Sequence, residues 1–212
     1  MKKGTLPCLV LLLLLAGCSS TGEPQRVLRL AVQGTLPFMD RNDPRHDALV
    51  RGGGPAMFAT PPAGGAAIEL RRAAELSEGG WLWLAPDGSG FTFEDGLLVA
   101  TRGVGEDLMS SDLSQLRALL RAGRDGTAER FHSTLDGEGR VVLKSYVCEV
   151  TFSEVTARED CAGLDETFVN IYRIVPGMGT VSSSIQRTGK GAWRFGPTDR
   201  PGAALLPVKE TP

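Results

Sequence analysis

The sequence is poor in the residues that build metal sites and nucleic-acid interfaces. It contains only two histidines, His46 and His132, and its formal net charge is −2 over 212 residues. Metal centres draw on clusters of His, Cys and carboxylate ligands, and nucleic-acid binding needs a strongly basic face. Lys is scarce beside Arg, and no Arg cluster forms a stripe. The composition therefore predicts no metal site and no nucleic-acid partner.

The chain also lacks an apolar run that could span a bilayer as a helix. The unbroken run near its start covers only Leu9 to Leu15, whereas a transmembrane helix needs about 20 residues. Lys2 and Lys3 precede this run, and a basic start, a short apolar core and small residues are typical of a secretion signal. We predict a signal peptide over residues 1–17, whose removal leaves about 195 residues, enough for one domain.

The residues at the end of this signal, Leu15-Ala16-Gly17-Cys18, resemble the bacterial lipobox. In that motif the Cys becomes the first residue of the mature protein and carries the acyl chains. An ordinary signal peptide that contains a Cys is the alternative, but small residues occupy both positions before Cys18. Ser19 follows rather than Asp, so retention in the inner membrane is not signalled. The resemblance implies an outer-membrane lipoprotein that faces the periplasm and is held in the bilayer by the acyl chains of Cys18. We predict that residues 18–25 form the lipidated tether and that residues 26–212 form a single domain.

Few cysteines are left after these assignments. Cys8 leaves with the signal and Cys18 goes to lipid, so Cys148 and Cys161 remain. An even pair in an oxidising compartment indicates a disulfide. Closing a loop of this length contributes about 3 kcal/mol in the chain-entropy treatment.

Long helical patterns are also scarce, and from Ile68 onward short apolar runs alternate with turn residues. Asp-Gly pairs at 87–88, 95–96 and 136–137 lie between such runs, a strong hairpin signal. Through the second pair, Phe93 is expected to oppose Leu98. Consecutive hairpins predict a mainly β fold, an antiparallel meander that forms a closed or half-closed barrel or sandwich.

The part before this meander is less regular. Residues 26–36 fit either a helix or a strand, so an N-terminal helix is one alternative. Residues 40–67 are rich in Gly, Pro and Asp and predict turns with one short apolar piece, Ala56 to Ala59.

One clear helix is predicted over about residues 112–123. Asp112 and Gln115 have the spacing of a capping box, and Gly123 lies where the helix should stop. Four leucines fall on one face: Leu113, Leu116, Leu119 and Leu120.

The stretch before this helix, TRGVGEDLMSSD at residues 101–112, contains a Gly-x-Gly. A phosphate loop would need Gly-Lys-Ser/Thr at the helix start, and a dinucleotide site would need a third Gly in a parallel βαβ unit. Neither is present, and Glu106 and Asp107 would repel phosphate. We interpret the stretch as a sharp turn from a strand into the helix, and we predict no cofactor.

The same stretch resembles the signature of the YjbF/GfcB lipoproteins, the group 4 capsule and exopolysaccharide-associated family. Three other segments match in the expected order: WLWLAPDGSGFTFEDGLLVATRG, LDGEGRVVLKSYVCEV and FVNIYRIVPGMGTVSSSIQ. The resemblance covers roughly residues 55–190. It implies a largely antiparallel β fold, an outer-membrane anchor and a role in polysaccharide production or export. It also implies a larger outer-membrane partner of the YjbH/GfcD type, and it supplies no catalytic residues.

Candidate catalytic groups have simpler structural interpretations. Asp87, Asp95 and Asp136 could form the paired carboxylates of a glycoside hydrolase, but each precedes Gly in a turn. His132 and Ser133 suggest a nucleophile and its base, yet adjacent residues on a strand point to opposite faces. The elbow Gly-x-Ser-x-Gly is absent as well. We therefore predict a protein that is not an enzyme.

Aromatic residues make up only 6% of the chain, and four of them occupy two neighbouring strands. Trp81 and Trp83 share one face of the first strand, as Phe91 and Phe93 do on the next. A two-residue turn at Asp87-Gly88 puts the Trp pair on the face opposite the Phe pair. A three-residue turn puts all four on one face, because register parity decides the face. An exposed Trp face can stack on sugar rings or anchor a protein, whereas a closed sheet would bury it as core.

A final candidate is polar. Ser182 to Ser184, with Gln186, Asn170 and Tyr172, could line a groove. Alternating strands always place some polar residues outward, so the ordinary interpretation is a solvated strand face.

Overall fold

The computed structural model describes residues 42–76, 79–189 and 191–197. Cys18, the predicted signal, the tether and residues 26–36 lie outside this part. The helices are α1 (Pro44–Arg51) and α2 (Ser114–Ala122), and the strands are β1 (Ala56–Thr60), β2 (Ile68–Glu75), β3 (Trp81–Leu84), β4 (Gly90–Glu94), β5 (Leu97–Arg102), β6 (Leu108–Asp112), β7 (Gly126–Leu135), β8 (Val141–Ser153), β9 (Thr156–Ala162), β10 (Thr167–Ile174), β11 (Val181–Thr188) and β12 (Gly191–Pro197). Among the described residues, neither helix has the length and apolar character needed to cross a membrane.

All twelve strands form one antiparallel sheet that curls into a nearly closed barrel. The strand order is β5-β4-β3-β2-β1-β12-β11-β10-β9-β8-β7-β6. Apart from β5 and β6, strands that are consecutive in the sequence pair with each other, and β1 pairs with β12 to join the two ends of the described chain. Strands β5 and β6 form the two ends of the sheet. The predicted mainly β antiparallel meander is confirmed.

The two larger apolar clusters of the described residues both receive side chains from β5. Leu97 and Val99 pack with the leucines of α2 and with residues of β7 to β10. Leu98 points the other way and packs with the aromatic residues of β4 and β12. Since successive residues of a strand face opposite sides, β5 is buried on both faces and ties the two clusters together.

The Asp-Gly pairs form turns of two kinds. Asp95 and Gly96 both have positive φ, 53° and 81°, and Phe93 opposes Leu98 as predicted. The other two pairs also form hairpins, but there the strands end earlier and leave five-residue loops, 85–89 and 136–140. In each loop the Asp carboxylate accepts a hydrogen bond from the backbone N–H two residues later, at 2.9 Å, and the left-handed position passes to a glycine.

The loop 85–89 decides the register of β3 and β4. Trp81 opposes Phe93 and Trp83 opposes Phe91, so all four side chains lie on one face of the sheet. The two-residue alternative, with the Trp and Phe pairs on opposite faces, is therefore wrong. The loop has an odd number of residues, as in the three-residue alternative, and an odd number places the Trp and Phe pairs on the same face.

Helix α2 begins later than predicted and follows a strand. Strand β6 separates it from the turn after β5, so that turn joins two strands and not a strand to a helix. Asp112 Oδ1 accepts from the Ser114 N–H at 2.9 Å, but Gln115 Oε1 accepts from the Glu129 N–H of β7 at 2.9 Å. The capping box is thus incomplete, because the Gln115 side chain bonds to the backbone of β7 and not to the start of its own helix. Gly123 ends the helix in the left-handed conformation, as predicted.

Helix α1 lies within residues 40–67, for which the composition predicts turns, and there the prediction is wrong. Asp43 accepts from the Arg45 N–H at 2.8 Å, and Pro44 occupies the first helical position. The helix has eight residues and one buried side chain, His46, so its apolar pattern is too short to detect. The apolar piece at residues 56–59 forms most of β1.

The predicted disulfide between Cys148 and Cys161 is present. The two residues are directly opposite in β8 and β9, and their sulfur atoms are 2.03 Å apart. Tyr146 and Phe168 pack with them in a small buried cluster. The bond joins two strands that are already paired, so it reinforces the ladder near its end farthest from the β8–β9 turn.

Candidate functional site

A half-open cavity of about 350 Å³ lies at one end of the barrel. Its walls come from β1, β3, β4, β11 and β12 and from the turns beside them. They consist of aromatic rings, hydroxyls and backbone. Few ionisable groups contribute, and the Asp95 carboxylate is already paired with Arg121 at 2.7 Å.

Trp81 and Trp83 form one wall of this cavity, and both are half-buried. They are neither exposed on a flat platform nor sealed in the core. The Arg72 guanidinium lies over the Trp81 ring, with its carbon 4.0 Å from the ring centroid. This stacking fixes the ring and is typical of a cation–π contact. The cavity therefore offers the edges and remaining surface of two oriented indole rings.

The opposite wall is hydroxyl-rich. Ser182, Ser183 and Ser184 at the start of β11 all line the cavity. Ser184 is fully buried and its hydroxyl accepts from Gln186 Nε2 at 2.8 Å. The polar groove considered from the sequence thus exists at the three serines, whereas Asn170 and Tyr172 lie elsewhere, in the buried cluster described below.

Gln186 fixes the β4–β5 turn over this wall. Its Oε1 accepts from the Leu98 N–H at 2.8 Å, and its Nε2 donates to the Gly96 carbonyl at 3.0 Å. The Val181 N–H donates to the Asp95 carbonyl at 3.0 Å. The groups that are bonded on the turn and on β5 all belong to the backbone, so the position of the turn depends on Gln186 and not on the side chains of the turn itself.

A second concentration of polar groups is buried among β7, β9 and β10. Glu159 Oε2 accepts from Arg130 Nη1 at 2.8 Å, Asn170 Nδ2 at 2.6 Å and the Tyr172 hydroxyl at 2.6 Å. Arg130 Nε donates to His132 Nε2 at 2.7 Å. Arg130 is 1% exposed and Glu159 is 0% exposed.

Burial and the neighbouring charges fix the protonation states in this cluster. Burial, followed by the Arg130 cation, lowers the pKa of His132 to about 3. Since its Nε2 accepts from Arg130, the neutral ring carries its proton on Nδ1. Burial, followed by the Glu159 carboxylate, raises the pKa of the Tyr172 hydroxyl well above its usual value, so Tyr172 remains a donor. Burial acts to lower the pKa of Arg130, but Glu159 and Tyr172 outweigh it and the pKa is raised.

A carboxylate oxygen of Glu159 also lies within 4.8 Å of the sulfurs of Cys148 and Cys161. Those sulfurs are bonded to each other and offer no thiolate to a metal ion. The arrangement is a structural polar core beside a disulfide.

Comparison with known families matches residues 55–192 to the family described as group 4 capsule polysaccharide lipoprotein gfcB, YjbF. The chain belongs to this family. Membership in the YjbF family identifies it as an envelope lipoprotein associated with capsule polysaccharide.

Among solved structures, the fold is similar to the crystal structure of the hypothetical lipoprotein YmcC from Escherichia coli K12. The two chains share 13% sequence identity over 75% of this chain and 89% of that chain, with a TM-score of 0.58. At this identity the similarity shows the fold alone. No curated protein sequence matches the chain.

The segment at residues 101–112, which resembles the YjbF signature, connects β5 and β6 at the two ends of the sheet. Asp107 accepts from the N–H groups of Gly103 and Val104, at 2.7 and 3.0 Å. Thr101 Oγ1 accepts from the Leu108 N–H at 2.9 Å and so links β5 to β6. The N–H groups that a phosphate would need are occupied by Asp107, in keeping with the turn predicted from the sequence.

Proposed function

We propose that this YjbF-family protein is a non-enzymatic accessory factor in exopolysaccharide or capsule production or export, and that it holds a glycan in the end cavity. The observation that carries the proposal is the pairing of two half-buried Trp rings with three serines across one cavity. Aromatic faces stack on the apolar faces of sugar rings, and hydroxyls bond to sugar hydroxyls. Association of the family with capsule polysaccharide supports a glycan as the ligand.

The anchor in this proposal is Cys18, acylated after removal of residues 1–17. Several acyl chains on one residue, at about 0.8 kcal/mol per buried CH₂, would hold the protein firmly at the outer membrane, facing the periplasm. Residues 18–25 serve as the tether, and the partner is a larger outer-membrane protein of the YjbH/GfcD type. Cys18→Ser should release the protein from the membrane fraction and abolish the mass increase due to lipid. A variant that stays membrane-bound with unchanged mass would contradict the anchor.

The contacts of the candidate catalytic residues support a non-enzymatic role. The Asp87 and Asp136 carboxylates accept from backbone N–H groups of their own loops, and Asp95 is paired with Arg121. His132 is buried and accepts from Arg130, whereas the Ser133 hydroxyl bonds to Ser110 Oγ at 2.7 Å on the neighbouring strand. As expected from strand geometry, His132 and Ser133 face different surroundings.

The proposal is tested by titrating the protein with the purified exopolysaccharide of its host, followed by tryptophan fluorescence and calorimetry. We expect saturable binding that Trp81→Ala or Trp83→Ala weakens at least tenfold. Trp193→Phe is the matched control, because Trp193 packs behind the cavity against Phe91, with centroids 5.0 Å apart. Absence of binding at any attainable concentration would overturn the glycan role. A protein partner would then be the remaining candidate ligand of the cavity.

A further inference from the structure

We propose that the cavity accepts the end of a glycan chain, about one or two sugar rings, and not an internal stretch lying in a groove. The inference rests on the proposed function, because it takes a glycan as the ligand. Three features of the cavity carry it: its position, its closed floor and its closed side.

The position follows from the strand ends that line the cavity. The lining includes Met57 near the start of β1, Gly79 before β3, Gly96 after β4, Val181 at the start of β11 and Gly196 near the end of β12. In an antiparallel sheet, the start of one strand lies beside the end of its neighbour. These residues therefore share one rim, and the cavity opens at that end of the barrel rather than along its side.

The floor of the cavity is solid. Phe93 and Phe195 are 6% and 5% exposed, and their ring centroids are 4.9 Å apart in an edge-to-face contact. Behind them, Phe91 lies 5.4 Å from Phe195 and 5.0 Å from Trp193. Aromatic side chains packed at these distances leave no passage. A polymer that enters at the rim cannot continue through the barrel.

One side of the cavity is closed by backbone. A Cβ atom on Gly96 would lie 2.4 Å from the Val181 carbonyl oxygen, so the β4–β5 turn touches β11 directly. The bond from the Val181 N–H to the Asp95 carbonyl seals the same contact. The remaining space, about 350 Å³, is at the lower end of the range of roughly 300–1,000 Å³ for small-ligand pockets.

The wall chemistry fits a terminal sugar better than an internal one. A terminal sugar has a single glycosidic linkage, so its other hydroxyls are free to bond. Ser182, which is exposed and lines the cavity, can meet such hydroxyls while Trp81 and Trp83 contact the ring. An internal sugar would need two exits for its neighbours, and the floor and the β4–β5 turn leave only the rim.

The test uses the mature full-length protein in detergent micelles and the exopolysaccharide of its host, sonicated to several mean chain lengths. Calorimetry at equal mass concentration gives the number of binding sites per gram of polymer. End binding predicts that halving the mean length doubles this number. Sites per gram that stay constant as the chains shorten would overturn end binding while leaving glycan binding intact. Absence of binding at every length would overturn the proposed function as well.

A plug at the rim provides an independent measurement. Ser182 is exposed and lines the cavity, so Ser182→Trp should block the mouth and weaken binding at least tenfold. Ser145→Trp is the matched control, because Ser145 is exposed on β8, away from the cavity, and this variant should bind like the wild type. A folded Ser182→Trp variant with unchanged affinity would overturn the assignment of the site. If that variant fails to fold, the chain-length measurement on the wild type decides the question.

Discussion

The buried pair of Arg130 and Glu159 allows a quantitative test of what holds the barrel together. Glu159 Oε2 accepts three hydrogen bonds, one from the Arg130 guanidinium and two from Asn170 and Tyr172. Both charges are fully removed from water. Removing one partner leaves the other buried without its counter-charge, which typically costs about 3–5 kcal/mol. We therefore expect Arg130→Met and Glu159→Gln each to lower the free energy of unfolding by about that amount.

The double variant separates the ion pair from the surrounding packing. With both charges gone, no uncompensated charge remains, and the cost is that of polar groups left without a hydrogen-bond partner, such as His132 Nε2, which loses its Arg130 donor, about 1–3 kcal/mol each. The double variant should therefore be at least about 2 kcal/mol more stable than the sum of the two single losses predicts. Urea unfolding of the chain without residues 1–21, followed by circular dichroism, gives all four free energies.

An exposed ion pair in the loop between β7 and β8 serves as the control. Arg140 and Glu138 are paired at 3.0 Å, with side chains about 71% and 72% exposed. Arg140→Met and Glu138→Gln should each cost less than about 1 kcal/mol. Single losses at Arg130 and Glu159 as small as these, or strictly additive losses, would refute the reasoning.

Two further predictions concern pH and close backbone contact. Because the pKa of His132 falls to about 3 on folding, the unfolded chain binds one proton more between about pH 3 and 6.5. The free energy of unfolding should then decrease as the pH falls through this window, by up to about 1.4 kcal/mol per pH unit. In urea unfolding, His132→Gln should remove this slope between about pH 6.5 and 5. An unchanged slope in the variant would contradict the assignment to His132. Gly96→Ala should cost about 1–3 kcal/mol more than Gly177→Ala, because both glycines have positive φ but only Gly96 would clash with Val181. Equal losses of melting temperature would show that the β4–β5 turn can move away from β11.

Local signals predicted the parts of the fold that depend on neighbouring residues. The Asp95-Gly96 turn is a two-residue hairpin because both residues accept positive φ. The two-residue rule does not hold at residues 85–89. There the Asp87 carboxylate accepts from both the N–H and the hydroxyl of Ser89, and the loop is longer. One added loop residue moves every side chain of the next strand to the other face. The sequence therefore could not decide whether Trp81 shares a face with Phe91 and Phe93.

The polar cluster depends on contacts between distant strands, and the sequence does not display such contacts. Arg130 and Glu159 are 29 residues apart, and each alone has the appearance of an ordinary charged position on a strand. A signal was nevertheless present. Arg130 has the same parity as the buried Ala128, and Glu159 has the same parity as the buried Ala157 and Cys161. A charge at an inward-facing position requires a buried partner, so this pattern predicts the existence of a pair although not its identity.

The pairing of β1 with β12 has a consequence for how the protein matures. Every other ladder joins strands that are consecutive in the chain, so hairpins can assemble one after another as the chain emerges. The free edge of β1 has no partner until β12, nearly the whole described length later, has been synthesised. During that interval the edge exposes unpaired N–H and C=O groups, which attract other extended chains. We expect the nascent protein to depend on an edge-binding chaperone until its last strand arrives.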